Sequence, residues 1–204
     1  MEPIRAFIAI ELPTELKLKL DQLQAKLRRD EPPGVKWVRP EGVHLTLKFL
    51  GNIAADTTPE IIKAMEESVQ AVIPFHLVAQ ELGGFPSLKR LQVAWVGIAG
   101  ELDRLGKLQR QLESNLAKLG FVPESRPFTP HLTLARLGEV VLPAERQRFG
   151  NLIASTSFEA SDINVTSISL MKSRLTREGA IYSRLSLVTL KEPEDPARRL
   201  GKAI

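Results

Sequence analysis

The chain has no cysteine among its 204 residues and only three histidines. The lack of cysteine excludes a disulfide framework and any thiolate metal site. A zinc site needs three or four ligands, so it would have to use nearly every histidine. No apolar run approaches the roughly 20 residues that span a membrane, and the opening Met-Glu-Pro does not resemble a signal peptide. We therefore expect a cytoplasmic protein without a membrane partner.

The composition is that of an ordinary globular protein, with 43% hydrophobic and 25% charged residues. A chain of this length can bury a real core as one domain or as two joined lobes. The net charge of +4 and the pI of about 9.5 favour an anionic partner such as RNA or a nucleotide. A basic surface that only keeps the protein soluble explains the charge equally well. Nothing indicates an oligomer, and a monomer is expected.

One stretch of thirteen residues occurs twice, at an offset of 87. Residues 39–51 read RPEGVHLTLKFLG and residues 126–138 read RPFTPHLTLARLG, so eight positions are identical and His44 corresponds to His131. The similarity extends to about 4–88 and 91–175. Two copies of so long a period do not make a solenoid. The repeat instead predicts two similar lobes related by a pseudo-two-fold axis.

Apolar spacing predicts the elements of each copy. Helices are expected at 15–29, 59–72 and 101–119 and from Pro143 onward; strands are expected at 4–11, 35–38, 43–50, 75–82, 91–98, 130–137, 158–171 and 180–190. The last two strands should pair as a hairpin. These elements form a single bilobal domain over 1–190. The charged tail at 191–204 contains two prolines and no apolar period, so we expect it to be poorly ordered.

Alternation along the motif strands separates polar from apolar side chains. His44, Thr46 and Lys48 should share one face, with Leu45, Leu47 and Phe49 on the other. In the second copy, His131 and Thr133 should likewise lie opposite Leu132 and Leu134. The leucine faces suit a core, which leaves the histidines and threonines to line a cleft between the lobes.

Phosphodiester hydrolysis needs a base to activate water and an acid to protonate the leaving oxygen. Two histidines with ordinary pKa values near 6.5 can hold opposite protonation states near neutral pH. Threonine hydroxyls can donate to the phosphate oxygens as charge develops. His44 and His131 are therefore the candidate catalytic pair, and Thr46 and Thr133 the candidate phosphate ligands.

Alternative readings are weaker. A lone His-x-Thr on a strand is usually structural, but its duplication favours a functional role. A metal would find only His76 besides the pair, with Glu41 and Glu139 as the nearby carboxylates. We therefore expect neither metal nor cofactor. His76 has no counterpart in the other copy, which indicates a surface or structural histidine.

These motifs resemble those of the two-histidine phosphoesterase superfamily. The paired H-L-T-L segments with F-L-G and R-L-G after them are most similar to the LigT-like branch, the RNA 2′,3′-cyclic phosphodiesterases historically named 2′-5′ RNA ligases. R-A-F-I-A-I-E-L-P, G-G-F-P-S, V-A-W-V-G-I and L-M-K-S-R-L-T-R-E-G-A-I-Y extend the resemblance over roughly residues 4–190.

The resemblance implies a bilobal α+β fold, with two antiparallel sheets flanked by helices around a central cleft. It also implies opening of an RNA 2′,3′-cyclic phosphate to a 2′-phosphate, with the 3′ oxygen as leaving group. The histidine pair would supply the acid and the base, in an order that stays open. Ligation of 2′-5′ RNA at the same cleft, or RNA binding with little turnover, are the alternatives.

Three further residues are candidate substrate contacts. Arg136 matches a family arginine of the active site, although strict alternation from His131 would point it to the other face. Lys48 has the alternation that the cleft requires. Phe7 is a candidate for stacking on a base, as aromatic side chains do in single-stranded RNA recognition, or is a core residue. Arg39 and Arg126 precede the two motifs and suit either RNA contacts or structural salt bridges.

Overall fold

The computed structural model describes residues 3–176 and 179–191. Within these residues the helices are α1 (Thr14–Leu27), α2 (Thr58–Val69), α3 (Leu102–Ala117) and α4 (Pro143–Ser155). The strands are β1 (Ile4–Glu11), β2 (Val35–Trp37), β3 (His44–Ile53), β4 (Phe75–Phe85), β5 (Val93–Gly100), β6 (His131–Leu137), β7 (Ser161–Val165), β8 (Ser167–Thr176) and β9 (Gly179–Thr189). The tail beyond residue 191 lies outside the described residues.

The helices form where leucines recur at helical spacing. In α1 the buried residues include Leu16, Leu20, Leu23 and Leu27, which lie on one face because positions three or four apart are neighbours on a helix. In α3, Leu105, Leu108, Leu112 and Leu116 do the same. These stripes pack on the apolar face of the sheet in one continuous core. None of the described helices is long and apolar enough to cross a membrane.

The nine described strands pair antiparallel in the order β7-β4-β5-β6-β3-β1-β8-β9, and β2 pairs with β6. The centre of this curled sheet is narrow, because β3 and β6 share a single register pair, Leu45 with Leu132. One half-sheet extends on each side of that pair. The predicted α+β, bilobal and internally duplicated fold is confirmed, and its two antiparallel sheets are continuous through the central pair.

The two lobes exchange strands between the two copies of the repeat. β4 follows the first motif in sequence, yet it pairs with β5 of the second copy. β8 follows the second motif, yet it pairs with β1 of the first copy. Each lobe is therefore built from both copies, and neither copy can bury its sheet edge alone.

One predicted element is wrong. The strand expected at 158–171 is two strands, β7 and β8, which belong to opposite lobes and are separated by Thr166. The apolar alternation changes phase between Val165 and Ile168, with Thr166 and Ser167 between them, and this change marks where the chain crosses between lobes. The hairpin of β8 with β9 is observed, although residues 177 and 178 of its turn lie outside the described residues.

Candidate active site

The Leu45–Leu132 pair brings the two motifs together. Both leucines are buried in the core, so the residues on either side of them project from the opposite face of the sheet. Antiparallel register sets His44 beside Thr133 and Thr46 beside His131. Cross-strand neighbours have Cβ atoms roughly 4.5–5.5 Å apart. The four predicted residues therefore cluster on one face at the pseudo-two-fold axis.

The backbone sets both imidazoles in the same orientation. His44 Nδ1 donates to the carbonyl oxygen of Gly42 over 2.6 Å, and His131 Nδ1 donates to that of Thr129 over 2.7 Å. A proton on Nδ1 leaves Nε2 of each neutral ring as the hydrogen-bond acceptor. Among the described residues, neither Nε2 has a hydrogen-bond partner, nor does the Thr46 or Thr133 hydroxyl. Both imidazoles thus offer the same nitrogen to a ligand.

A β-bulge follows the histidine and threonine in each copy. Ile8 pairs with Lys48 and Ala9 with Thr46, so Leu47 is the extra residue. In β6, Ala94 pairs with Ala135 and Trp95 with Thr133, so Leu134 is the extra residue. A bulge of this kind places two successive side chains on the same side and reverses the alternation beyond it.

The bulges explain why Arg136 lies on the same face as His131, and they overturn the predicted orientation of Phe49. Arg136 is exposed and turned back to the face of His131, where its charge lowers the pKa of that histidine. The same reversal turns Phe49 onto the cleft face, 63% exposed. The prediction that Phe49 faces the core with Leu45 and Leu47 is therefore wrong.

Lys48 does not line the cleft, so its predicted role as a substrate contact is wrong. Its side chain is 7% exposed, and its Nζ lies 2.8 Å from Glu113 Oε2. The ammonium group also donates to the carbonyl oxygen of Val122 over 2.7 Å. Glu113 in turn accepts from the backbone N–H of Glu124. Lys48 thereby ties the first motif strand to α3 and to the loop that leads to the second motif.

Phe7 supports His44 and is not available to a base. Its side chain is 2% exposed, and its ring stacks on the His44 imidazole with centroids 4.4 Å apart. Tyr182, from β9, meets both rings edge-on at 5.1 and 5.2 Å. The prediction of Phe7 as a stacking residue for RNA is therefore corrected, because neither of its faces is open. The exposed aromatic is Phe49, whose ring centroid lies 6.1 Å from that of Phe7.

His131 has a different aromatic wall. Phe85 meets its imidazole edge-on at 4.9 Å, and the Trp95 ring lies 6.5 Å away. The indole lies against Gly83, where a Cβ atom would come within 2.1 Å of the ring. Gly83 is therefore required for Trp95 to lie flat on β4.

Burial is the first cause of the histidine pKa shifts. It lowers the pKa of His44 below the ordinary 6.5; the hydrogen bond to Gly42 opposes this shift, Lys17 adds to it, and Glu11 opposes it. Burial also lowers the pKa of His131, against the hydrogen bond to Thr129 and together with the charge of Arg136. Burial is therefore the main cause of both downward shifts, and the nearby cations are a secondary cause.

The remaining sequence candidates lie outside this cluster. His76 pairs with Asp162 over 3.0 Å on β4, two strands from β6, as expected of a surface histidine. Arg126 is exposed in the loop before β6. Arg39 borders a groove near Gly42. Among the described residues, no three His, Asp or Glu side chains gather as a metal site would require.

Sequence reasoning missed Phe49, Tyr182, Phe85 and Trp95 as neighbours of the site. The segments that carry Phe85, Trp95 and Tyr182 were part of the family resemblance, but no role followed from it. Tyr182 is the chain's single tyrosine, and a lone aromatic on an edge strand gives no further signal. Phe49 could be found only by anticipating the bulge.

The comparisons with known proteins agree with this geometry. The family described as LigT like Phosphoesterase matches the chain twice, over residues 10–95 and 96–182. The chain belongs to this family. The two matches divide the chain near the boundary of the sequence repeat, so the internal duplication is a family feature and the predicted family is confirmed.

Relatives are similar over nearly the whole chain. RNA 2′,3′-cyclic phosphodiesterase of Methanothermobacter thermautotrophicus is 31% identical over 188 residues, which cover 92% of this chain and 99% of the relative. The enzyme of the same name from Aquifex aeolicus is 31% identical over 90% of this chain and 95% of its own. The crystal structure of Escherichia coli LigT complexed with 3′-AMP superposes with a TM-score of 0.72 at 26% identity, covering 94% of this chain and all of that one. The predicted enzyme class, a phosphoric diester hydrolase, is confirmed.

Proposed function

We propose that this protein hydrolyses RNA 2′,3′-cyclic phosphate ends to 2′-phosphomonoesters by a paired-histidine mechanism that needs no metal. The observation that carries the proposal is the central register, which sets His44 beside Thr133 and His131 beside Thr46, with both Nδ1 atoms bonded to backbone carbonyls. The names of the relatives support the substrate class.

The two Nε2 atoms can divide the acid and base work. A neutral imidazole accepts a proton at Nε2, and a protonated one donates from the same atom. Burial lowers the pKa of both histidines in the free protein, which favours the neutral base. A bound phosphate anion raises the pKa of a nearby imidazole, because opposite charge favours the protonated form, and so supplies the acid. The pair therefore titrates as one coupled unit.

The reaction then balances within the site. Water attacks phosphorus in line with the 3′ oxygen, and its proton passes to Nε2 of the neutral histidine. The P–O3′ bond breaks as the protonated histidine delivers its proton from Nε2 to that oxygen. The product carries a 2′-phosphate and a 3′-hydroxyl, and one proton has moved from one histidine to its partner through substrate.

The phosphate is stabilised by groups from both lobes. The Thr46 and Thr133 hydroxyls can donate to the non-bridging oxygens as charge builds on them. Arg136 adds a positive charge on the His131 side. The Phe7 ring lies between His44 and Phe49. The Phe49 ring is therefore suited to stack on the base of a preceding nucleotide in an RNA chain.

The deciding experiment is product analysis of a short RNA that ends in a 2′,3′-cyclic phosphate, with and without EDTA. The proposal predicts a 2′-phosphate product at the same rate in both. A 3′-phosphate product would contradict the assigned leaving group. Activity that vanishes with EDTA and returns with zinc or manganese would contradict the metal-free mechanism. Tight binding without turnover would leave the protein as an RNA-binding module.

A further inference from the structure

A groove lies beside His44, and the proposed reaction does not use it. Its volume is about 260 Å³. One wall is the turn before β3 and the other is the start of β9. The lining residues are Arg39, Glu41 and Gly42 on the first wall and Ala180, Ile181 and Tyr182 on the second.

Two of the lining residues also contact His44. Gly42 lines the groove, and its carbonyl oxygen accepts the hydrogen bond from His44 Nδ1. The Tyr182 ring also lines it and lies 5.1 Å from the His44 imidazole. A Cβ atom on Gly42 would come within 3.0 Å of the Tyr182 ring, so the glycine allows the two walls to approach. The groove therefore borders the Nδ1 end of the His44 ring, and a phosphate held at Nε2 would lie one imidazole width away.

The walls indicate a flat ligand with hydrogen-bond donors on its edge. Tyr182 and Ile181 present apolar surface. Glu41 is exposed, and its carboxylate has no hydrogen bond or ion pair within residues 3–176 and 179–191. An ionised carboxylate only accepts hydrogen bonds, and its two oxygens can accept two parallel ones. Guanine presents such a pair, N1–H and the 2-amino group, in the plane of its ring, whereas uracil presents a single N–H.

We propose that this groove is a nucleobase subsite that prefers guanine on the nucleotide that carries the cyclic phosphate. The inference rests on the proposed function, because it takes the phosphate position from the histidine pair. The Phe49 ring, on β3, lies 6.1 Å from that of Phe7 and does not line the groove, so we assign it to the base of a preceding nucleotide. A mononucleotide therefore fills only the groove, and an RNA chain also reaches Phe49.

The test measures kcat/KM for guanosine and uridine 2′,3′-cyclic phosphates with the wild-type protein and three variants. Bidentate hydrogen bonding to a base edge discriminates by about 5- to 150-fold, so the wild type should prefer guanosine within that range. Glu41→Gln should reduce the ratio to within about twofold, since an amide offers one acceptor. Ala180→Leu should raise KM for both nucleotides by filling the groove. Glu67→Gln, the same change on the exposed side of α2, should keep the wild-type ratio.

Equal rates for the two nucleotides in the wild type, or an unchanged ratio in Glu41→Gln, would overturn the proposal. Absence of hydrolysis with every substrate would overturn the proposed function instead. In that case calorimetric binding of guanosine 2′-phosphate and uridine 2′-phosphate still decides the question. Tighter guanosine binding that is lost in Glu41→Gln supports the subsite, and equal binding refutes it.

Discussion

His44 and His131 occupy equivalent positions in two copies of one motif, yet their surroundings differ. Both share the Nδ1 bond to a carbonyl two residues earlier and the bulge three residues later. His44 is enclosed by Phe7 and Tyr182. His131 lies against Phe85 and Trp95.

The charges near the two histidines differ as well. In register, Glu11 lies opposite His44, and Gly97 lies opposite His131. Glu11 is bound by Arg184 and Ser169, which connects β1, β8 and β9 on the cleft face. Beyond the bulges, an exposed phenylalanine in one copy corresponds to an arginine in the other. In the proposed mechanism the duplicated residues supply the shared acid–base chemistry, and the residues that differ suit one lobe to stacking and the other to charge.

The largest expected effect is the loss of turnover when either histidine is replaced. It tests whether both histidines are needed for the reaction. His44→Ala and His131→Ala should each lower kcat with a cyclic-phosphate substrate by about 10²–10⁴-fold, because each removes a general acid or base. His76→Ala is the matched control, since His76 pairs with Asp162 away from the site, and it should keep the wild-type rate. Near wild-type turnover in either cleft variant would refute the paired mechanism.

Replacing either threonine tests whether both copies of the motif contribute to phosphate binding, with a smaller expected loss of kcat. Thr46→Val and Thr133→Val remove a hydroxyl while preserving shape, and each should lower kcat by up to about 10²–10³-fold, the cost of losing one donor to a developing oxyanion. Thr189→Val, on exposed β9, is the control in steady-state kinetics. Unchanged rates in both cleft variants would mean that the threonines are structural.

Lys48 and Arg136 should separate stability from catalysis. Lys48→Met leaves Glu113, which is 15% exposed, without its cationic partner and should lower the free energy of unfolding by about 3 kcal/mol. Arg136→Ala, an exposed residue, should change that free energy by less than about 0.5 kcal/mol while raising KM. Urea denaturation and kinetics on the same samples measure both. The double variant Lys48→Met/Glu113→Gln removes the charge and keeps an oxygen that can accept a hydrogen bond from Gln109 or Glu124. It should therefore regain stability, and failure to do so would show that the unpaired charge is not the cause.

A Phe49 variant tests whether the first copy of the motif contributes base stacking, since the second copy has Arg136 at the corresponding position. Base–aromatic stacking contributes about 1–3 kcal/mol per base, so Phe49→Ala should raise KM for a dinucleotide or longer RNA by about 5-fold or more. KM for a nucleoside 2′,3′-cyclic phosphate should stay within twofold, since its base does not reach this ring. Phe158→Ala, a partly buried residue packed on the core, would affect stability without this substrate dependence. An equal effect on both substrates would place the stacked base elsewhere.

The smallest effect concerns stability against pH. The pKa values of both histidines are lowered from 6.5, so below that pH the unfolded chain binds more protons than the folded one. The free energy of unfolding should therefore fall as pH decreases through 6.5, until pH passes below the folded pKa values. Urea denaturation between pH 8 and 5 measures this, above the range in which Glu11 titrates. The double variant His44→Gln/His131→Gln should show a shallower slope, and an unchanged slope would contradict the assignment.

Much of the site was predictable because it rests on short-range patterns. The repeated His-Leu-Thr-Leu alternates polar and apolar residues, and a half-buried strand places such residues on two faces. Duplication then implies that His44 and His131 meet across an axis. Strict alternation failed at the next residue, Lys48 in the first copy and Ala135 in the second, because Leu47 and Leu134 are the extra residues of the bulges. A bulge depends on how the neighbouring strand pairs, and β1 and β5 are distant in sequence from the strands that they pair with.

By itself, then, the sequence determined the duplicated chemistry: two histidines and two threonines on strand faces opposite buried leucines, flanked by leucine-striped helices. Tertiary structure alone decided that β4 and β8 cross between lobes, that Lys48 is buried with Glu113, and that Phe49, Arg136 and Tyr182 reach the cleft. The physical reason is that side-chain alternation is a property of the local backbone, whereas register, bulges and strand partners minimise the free energy of the whole sheet.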